Sequence, residues 1–320
     1  MEKQITTMKN QLPKPLPELS KNEIRRKRLI GKVLTYTLAY LTSEFLKRDF
    51  EWLLPVILSK STDPLWPDEE ASIEKRVKLN IYGKIVHPTS SMIVHKIVAC
   101  SLLYPKIFTF SPNIRIERKD RAYTGIHAYE FTQLDFEVRN ATSQMIRNLV
   151  EEILCGLIKS LKENLHEELT SLGRCESLKV PESPFEVYKR KELEEFYGKN
   201  WKTQVILKSE NPVWIIDIPR EFYDFENNRK EWDNYDLLLP KYGEVLSGGR
   251  REWKYNKIIK KMDRDYLRKK DYRVLLKLAR KGRLKPSAGA GIGIERLVSW
   301  IVGASHIGET QLFPRIPCNL

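Results

Sequence analysis

The stretch from Asn113 to Val138, NIRIERKDRAYTGIHAYEFTQLDFEV, constrains the fold of this chain more than any other. At the two-residue period of a strand, Ala128, Thr132, Leu134, Phe136 and Val138 fall on one face, and His127, Tyr129, Phe131, Gln133, Asp135 and Glu137 on the other. A sheet that buries the first face leaves the second for chemistry. Arg115 and Glu117 share a face of a preceding strand, and if the two strands pair as a hairpin, that face is the one bearing His127 and Phe131. A guanidinium, an imidazole, carboxylates and an aromatic ring on one rigid sheet suit a nucleotide: Arg for an α-phosphate, Phe to stack on a base, acids for an amine or a metal. A solvated antiparallel hairpin with ordinary cross-strand pairs has the same pattern.

The flanking chain supplies helices and further strands. Residues 1–19 carry Pro13, Pro15 and Pro17 among polar residues and read as an extended N-terminal tail. Ser20-Lys21-Asn22-Glu23 has the form of a capping box, and Ile24, Ile30, Val33, Leu34, Leu38, Leu41 and Phe45 repeat behind it at helical spacing. Phe50 to Ile57 reads as a strand whose Pro55 favours an edge or an interface. Ser90 and Ser91 open a helix with an apolar stripe through Ile97, Leu102 and Leu103, and it carries Lys96. Ser143 to Leu165 aligns Met145, Leu149, Ile153, Leu157 and Leu161 on one side of a packing helix, and Val213 to Ile218 is a buried strand closed by Pro219.

Two later stretches carry chemistry. In Tyr235 to Glu252, YDLLLPKYGEVLSGGRRE, Asp236 and Glu244 flank a Pro-Lys-Tyr-Gly turn, so two strands can bring both carboxylates to one Mg²⁺. Gly248-Gly249 let the backbone approach a ligand, and Arg251 has the fork that holds a carboxylate. Ser287 to Val298, SAGAGIGIERLV, places small residues ahead of a helix, which permits tight packing as readily as a ligand. Between them, Lys254 to Lys285 holds fourteen Lys or Arg against three Asp. A solvated basic face and a surface for RNA are both open there, and a lack of interleaved aromatics would limit the latter to phosphate contacts.

Taken together, these stretches resemble the class II aminoacyl-tRNA synthetases of the aspartate, asparagine and lysine subgroup. Arg115, Glu117, His127, Glu130, Phe131 and Glu137 match motif 2; the long helix and the strand ending at Pro55 resemble motif 1; the DLL, GE, GG and RE elements around Asp236 and Glu244 resemble the asparagine-type signature; Gly289 to Leu297 resembles motif 3, and Leu312-Phe313-Pro314-Arg315 the subgroup's ending. The resemblance implies an α+β fold, an antiparallel sheet of about six strands flanked by helices, spanning residues 20–320 as one catalytic domain and assembled as a homodimer through motif 1. It implies ATP and Mg²⁺ as cofactors. Arg115, Glu117 and Arg296 would be catalytic; His127, Phe131 and Gly293 would join them at ATP; Asp236 and Glu244 would hold the metal; and Ser91, Lys96, Gln133, Asp135 and Arg251 would bind the amino acid. Ile126, Ser287, Gly308 and Ile93 depart from the pattern, at positions where the subgroup usually has Arg, His, Arg and Gln.

A chain of 320 residues with 41% hydrophobic residues can bury a large core, and its net charge of +14 invites an anionic partner. Its four cysteines lack metal or redox spacing, and neither a signal peptide nor a membrane-length apolar run is present, so the cytoplasm is the expected location. The subgroup's N-terminal OB-fold for the anticodon has no counterpart before residue 20, an outline that resembles the archaeal asparagine synthetases. The first expectation is therefore a ligase that adenylates aspartate and passes it to ammonia. A truncated synthetase activating aspartate or asparagine for tRNA and a non-catalytic paralogue are the alternatives. If Lys96 and Arg251 both point at one side-chain position, aspartate should bind better than asparagine, because a carboxamide would leave a desolvated cation unpaired.

Overall fold

The structure, a computed structural model, describes residues 12–65 and 73–318. Its frame is a sheet of eight strands: β1 (Glu51–Trp52), β2 (Lys106–Ile114), β3 (Glu130–Arg139), β4 (Glu186–Lys189), β5 (Val213–Ile216), β6 (Asn234–Leu239), β7 (Gly243–Arg250) and β8 (Ser287–Gly293). Their spatial order is β1-β2-β3-β8-β7-β6-β5-β4. The six strands from β2 across to β5 pair antiparallel throughout, while β1 and β4 add parallel edges. This is the α+β architecture expected, with β2 and β3 adjacent and Asn113 opposite Phe131.

Helices cover the two faces unequally. Ser20 caps α1 (Lys21–Leu46) in the reciprocal arrangement with Glu23 that its sequence announces. With α3 (Ser143–Asn164) and α7 (Ile294–Val302), α1 packs Ile30, Leu41, Phe45, Ile146, Leu157 and Leu297 onto Phe108, Leu134 and Phe136 of the sheet. Met145 is the exception on α3: it is exposed, and Ile146 turns inward instead. On the other side α2 (Ile93–Leu102) meets α5 (Tyr255–Arg264) and α6 (Arg273–Arg280) through Ile93, Ile97, Ile258, Met262 and Leu275. The basic run Lys254 to Lys285 is therefore largely a pair of amphipathic helices with their cations outward. Aromatics do accompany it: Phe225 and Trp253 stack with centroids 5.4 Å apart, and Arg250, Lys254 and Lys257 lie over their rings.

Three expectations need correction. His127 lies outside β3, in a loop that follows a 3₁₀ segment at Lys119–Thr124 and is turned by left-handed Gly125. The strand period breaks there because pairing stops once Arg115 N donates to Tyr129 O at 2.9 Å. Of the tail, residues 1–11 lie outside the described residues, and the remainder is not free: Leu12 packs against Ala128, Ile307 and Ile316, and Lys14 pairs with Glu23 at 3.0 Å. The strand proposed for Phe50 to Ile57 shortens to Glu51–Trp52 at the sheet edge, with Pro55 just beyond.

The glycines of β8 set how closely the central strands approach. A Cβ on Gly289 would lie 2.1 Å from Phe136 O and 2.4 Å from Glu137 Oε2, whereas one on Gly31, within α1, would meet nothing within 4 Å. Gly289→Ala should lower stability by about 1–3 kcal/mol through overpacking. Gly31→Ala should raise it by up to about 1 kcal/mol through helix propensity. Denaturant melts of the two variants check the contrast, and a neutral Gly289→Ala would show that the strands have room.

Candidate active site

The polar face of β3, β7 and β8 forms the floor of one solvent-open cleft of about 1070 Å³. Its walls are α2, the 126–128 loop and the chain after β5, and its lining gathers residues that are far apart in sequence: Ser91, Lys96, Arg115, Glu117, His127, Phe131, Gln133, Asp135, Glu244, Arg251, Gly293 and Arg296. Asp236 alone among the expected site residues does not line it.

One end of the cleft is cationic. Arg115 is fixed by donating from Nε and Nη2 to Ser90 O at 3.2 and 3.1 Å, and its Cζ lies 5.2 Å from the centre of the Phe131 ring. That leaves a guanidinium beside an aromatic plane, the combination that grips a phosphate and stacks on a base. Glu117 is buried at the same wall. Arg296, on the first turn of α7, donates to Ile126 O at 3.2 Å and Glu244 O at 3.1 Å. His127 lies among these groups: burial, then Arg296, Arg121 and Arg115, push its imidazole down to about 3, so it is neutral at pH 7. Ile126 thus contributes a carbonyl where the subgroup usually supplies a charged side chain.

The other end is a buried ion network. Lys96 donates to Asp135 Oδ1 at 2.8 Å and Ala290 O at 2.9 Å. Arg251 reaches Glu137 at 3.2 Å, Asp224, and Gly289 O at 2.9 Å. Ser111 holds the second oxygen of Asp135, Ser287 holds Glu137, and Gln133 accepts from Asn113. Ser91 turns its hydroxyl to the Ile93 amide at 3.2 Å. Both cations therefore already have carboxylate partners within the chain, which corrects the premise that they wait, unpaired, for a substrate carboxylate. Ser287 is likewise absorbed into this network, and Gly308 lies apart from it, packed under Pro13.

Asp236 and Glu244 come close across the β6–β7 hairpin, yet they do not fit a divalent ion as they stand. Lys202 Nζ lies 2.7 Å from Glu244 Oε2, Arg220 binds Asp236, and Arg296 Nη1 is 3.9 Å from Glu244 Oε1. Two carboxylates thus face three cations, and among the described residues no group of three His, Cys, Asp or Glu could hold a metal. Burial opposes ionisation of Glu244, but Lys202, Arg296 and Arg220 outweigh it and hold the carboxyl down at about 2. Burial raises Asp236, with Arg220 opposing.

Several lining residues escaped the sequence. Arg220, Glu221, Tyr223 and Asp224 follow Pro219 in a segment without regular structure, and Asp63 comes from a distant turn. Burial, followed by Asp63, raises the Glu221 carboxyl well above the usual range. Glu295 spends both oxygens on the Thr132 amide, at 3.0 Å each, tying α7 to β3. The one signal available in advance was the Pro-Arg-Glu run closing a buried strand. Lys202 had no signal at all, because its helix reads as ordinary surface.

The Lys96–Asp135 pair is testable. Lys96→Met strands a buried carboxylate and should destabilise the chain by about 3–5 kcal/mol. Adding Asp135→Asn should recover a large part of that loss in a double-mutant cycle. An unchanged melt for Lys96→Met would mean that the ammonium is held by something other than this pair.

Comparison with known proteins places this geometry. Residues 36–317 match the family described as tRNA synthetases class II (D, K and N). The chain is 30% identical over 253 residues to an asparagine–tRNA ligase of Mycoplasma mobile, covering 69% of this chain and 55% of the relative. It is 29% identical over 331 residues to one of Mycoplasmopsis pulmonis, covering 93% and 72%. The chain thus spans about half to three quarters of the length of these relatives. Among solved structures, asparaginyl-tRNA synthetase from Pyrococcus horikoshii complexed with asparaginyl-adenylate superposes with a TM-score of 0.81 at 24% identity, over 92% of this chain and 70% of that one. The Entamoeba histolytica asparaginyl-tRNA synthetase in complex with asparaginyl-adenylate gives 0.78 at 21%, over 94% and 69%. With its eight-stranded sheet, its cleft on the polar face and a family match over most of its length, the chain belongs to the class II tRNA synthetases of the D, K and N group.

Proposed function

We propose that this chain is an ATP-dependent ligase of the asparaginyl/aspartyl-tRNA synthetase type, which activates its amino acid as an adenylate. The observation that carries the reading is the pairing, in one cleft, of a cationic end built on Arg115 and Arg296 with a carboxylate-rich end built on Asp63, Asp135, Glu221 and Asp224. A nucleoside triphosphate fits the first and an α-ammonium the second. The substrate carboxylate attacks the α-phosphorus, the bond to the bridging β-phosphate oxygen breaks, and pyrophosphate leaves with its electron pair. Arg115 stabilises charge on the α-phosphoryl oxygens and Arg296 orients the departing pyrophosphate. Phe131 stacks on adenine, and neutral His127 lies beside the phosphates without adding a charge. No protein nucleophile is needed.

Asparagine is the amino acid this reading takes first. Two cations already face three carboxylates in the network, so the charge case for aspartate is lost, and the relatives named above are asparagine–tRNA ligases. Aspartate with ammonia, the first expectation, loses the support it drew from Lys96, whose ammonium is already paired with Asp135. Acceptor tRNA finds support in the stacked Phe225–Trp253 pair with its cations and in the outward basic faces of α5 and α6. ATP–pyrophosphate exchange with each amino acid tests the activity, and product analysis with ammonium or tRNA added identifies the acceptor. Arg115→Ala and Arg296→Ala should each lower exchange by about a hundredfold or more. Absence of exchange with either amino acid would sink the reading.

The proposed unit is one catalytic domain, residues 20–320, acting as a two-fold dimer in the cytoplasm. Exposed Trp52, Leu54, Ile57 and Leu58 at the sheet edge support the dimer, and among the described residues no helix is long and apolar enough to cross a membrane. Light scattering at micromolar concentration should give twice the chain mass with a single melting transition; a monomer would refute the dimer.

A further inference from the structure

The connection between the parallel strands β4 and β5 places a cation where the hairpin β6–β7 shows its acids. That connection ends in α4 (Trp201–Lys208), which is anchored from below: Val205 is buried with Leu193, Val213, Ile215 and Leu238, and Trp201 packs against them. From the side, Lys241 N donates to Ile206 O at 2.9 Å. Lys202 on the first turn of this helix is thereby held over the start of β7, with Nζ 2.7 Å from Glu244 Oε2. Arg220, placed by the turn after Pro219, takes Asp236 in the same way.

We propose that Lys202 holds the place of a divalent cation at Glu244, so that the phosphate end of the cleft presents charge fixed in the protein rather than a recruited metal ion. Mg²⁺ binds carboxylate oxygens at about 2.0–2.1 Å in near-octahedral geometry, keeping several waters. Here the oxygen it needs is occupied by an ammonium, the neighbouring carboxylate is turned to a guanidinium, and Arg296 adds a third positive charge. A divalent ion entering this group meets net repulsion. Glu244 in turn raises the Lys202 ammonium above its usual range, which keeps the substitute charged. Lys202 does not line the cleft itself. It is a positioning residue that acts through Glu244, orienting that carboxylate and supplying the positive charge behind it.

The test is a Mn²⁺ titration of the protein alone, followed by electron paramagnetic resonance. The wild-type chain should show no Mn²⁺ site that Glu244→Gln abolishes. Lys202→Met should gain one, and Lys202→Met combined with Glu244→Gln should lose it again, while Lys202→Arg should behave as wild type. A second arm, which rests on the nucleotide reading, is calorimetry of a non-hydrolysable ATP analogue with Mg²⁺ or with EDTA. Affinity should change by less than about threefold in the wild type and by more than about tenfold in Lys202→Met. A wild-type Mn²⁺ site that depends on Glu244, or a Lys202→Met variant that gains none, overturns the proposal. An analogue that binds neither protein in either buffer refutes the nucleotide reading instead, and the Mn²⁺ arm still decides the role of Lys202.

Discussion

The ion network under β8 is the constraint on which the rest of the site depends. Arg251 leaves the end of β7, crosses beneath the glycines and meets Glu137 of β3 and Asp224, while Lys96 comes down from α2 onto Asp135 of the same strand. Removing one partner of such a buried pair is far more damaging than never having built it, because the remaining charge has no water to turn to. The network therefore fixes the register of β3 against β8, the tilt of α2 on the sheet and the position of the segment after Pro219. The glycine strand makes this geometry attainable, since any side chain at Gly289 would occupy the space used by Glu137.

Charge is distributed along the cleft in opposite senses. Toward Arg115 and Arg296 cations exceed acids, and His127 loses its proton through burial first and these cations second. Toward Asp63, Glu221 and Asp224 acids accumulate, and Glu221 is pushed toward its neutral form. Such a gradient orients a molecule that carries phosphates at one end and an ammonium at the other before any contact is made. The hairpin β6–β7 sits where the two regimes meet, and its carboxylates are paired with Arg220 and Lys202 from outside the hairpin.

The sheet's two faces divide packing from chemistry with little overlap. Leu134 and Phe136 lie in the main core beside Phe45 and Phe108, whereas their neighbours, half-buried Gln133 and buried Asp135 and Glu137, have polar partners on other strands. A one-residue slip of β3 would place carboxylates in the apolar layer and phenylalanine in the cleft. The same strand thus secures the fold and carries the site, and neither role can drift without the other.

Periodicity and local chemistry determined several elements on their own. The alternation through Leu134 and Phe136, the Ser20–Glu23 capping box and the glycine run of β8 each depend on neighbours within a few residues, so the sequence sufficed for these elements, while the antiparallel class followed from the family resemblance and the edge strands from tertiary pairing. It also sufficed to nominate most of the residues that meet in the cleft, because side-chain type and motif order survive in the linear chain. Partnership did not survive there. Whether Lys96 faces solvent, a ligand or Asp135 depends on where α2 docks on β3, and whether Asp236 and Glu244 are open to a metal depends on Lys202 and Arg220, which arrive from other elements. The sequence by itself determined which groups are available and on which face of a strand they stand. Tertiary structure decided which charges neutralise one another, since electrostatic pairing acts through space over a few ångströms and leaves no periodic trace along the chain.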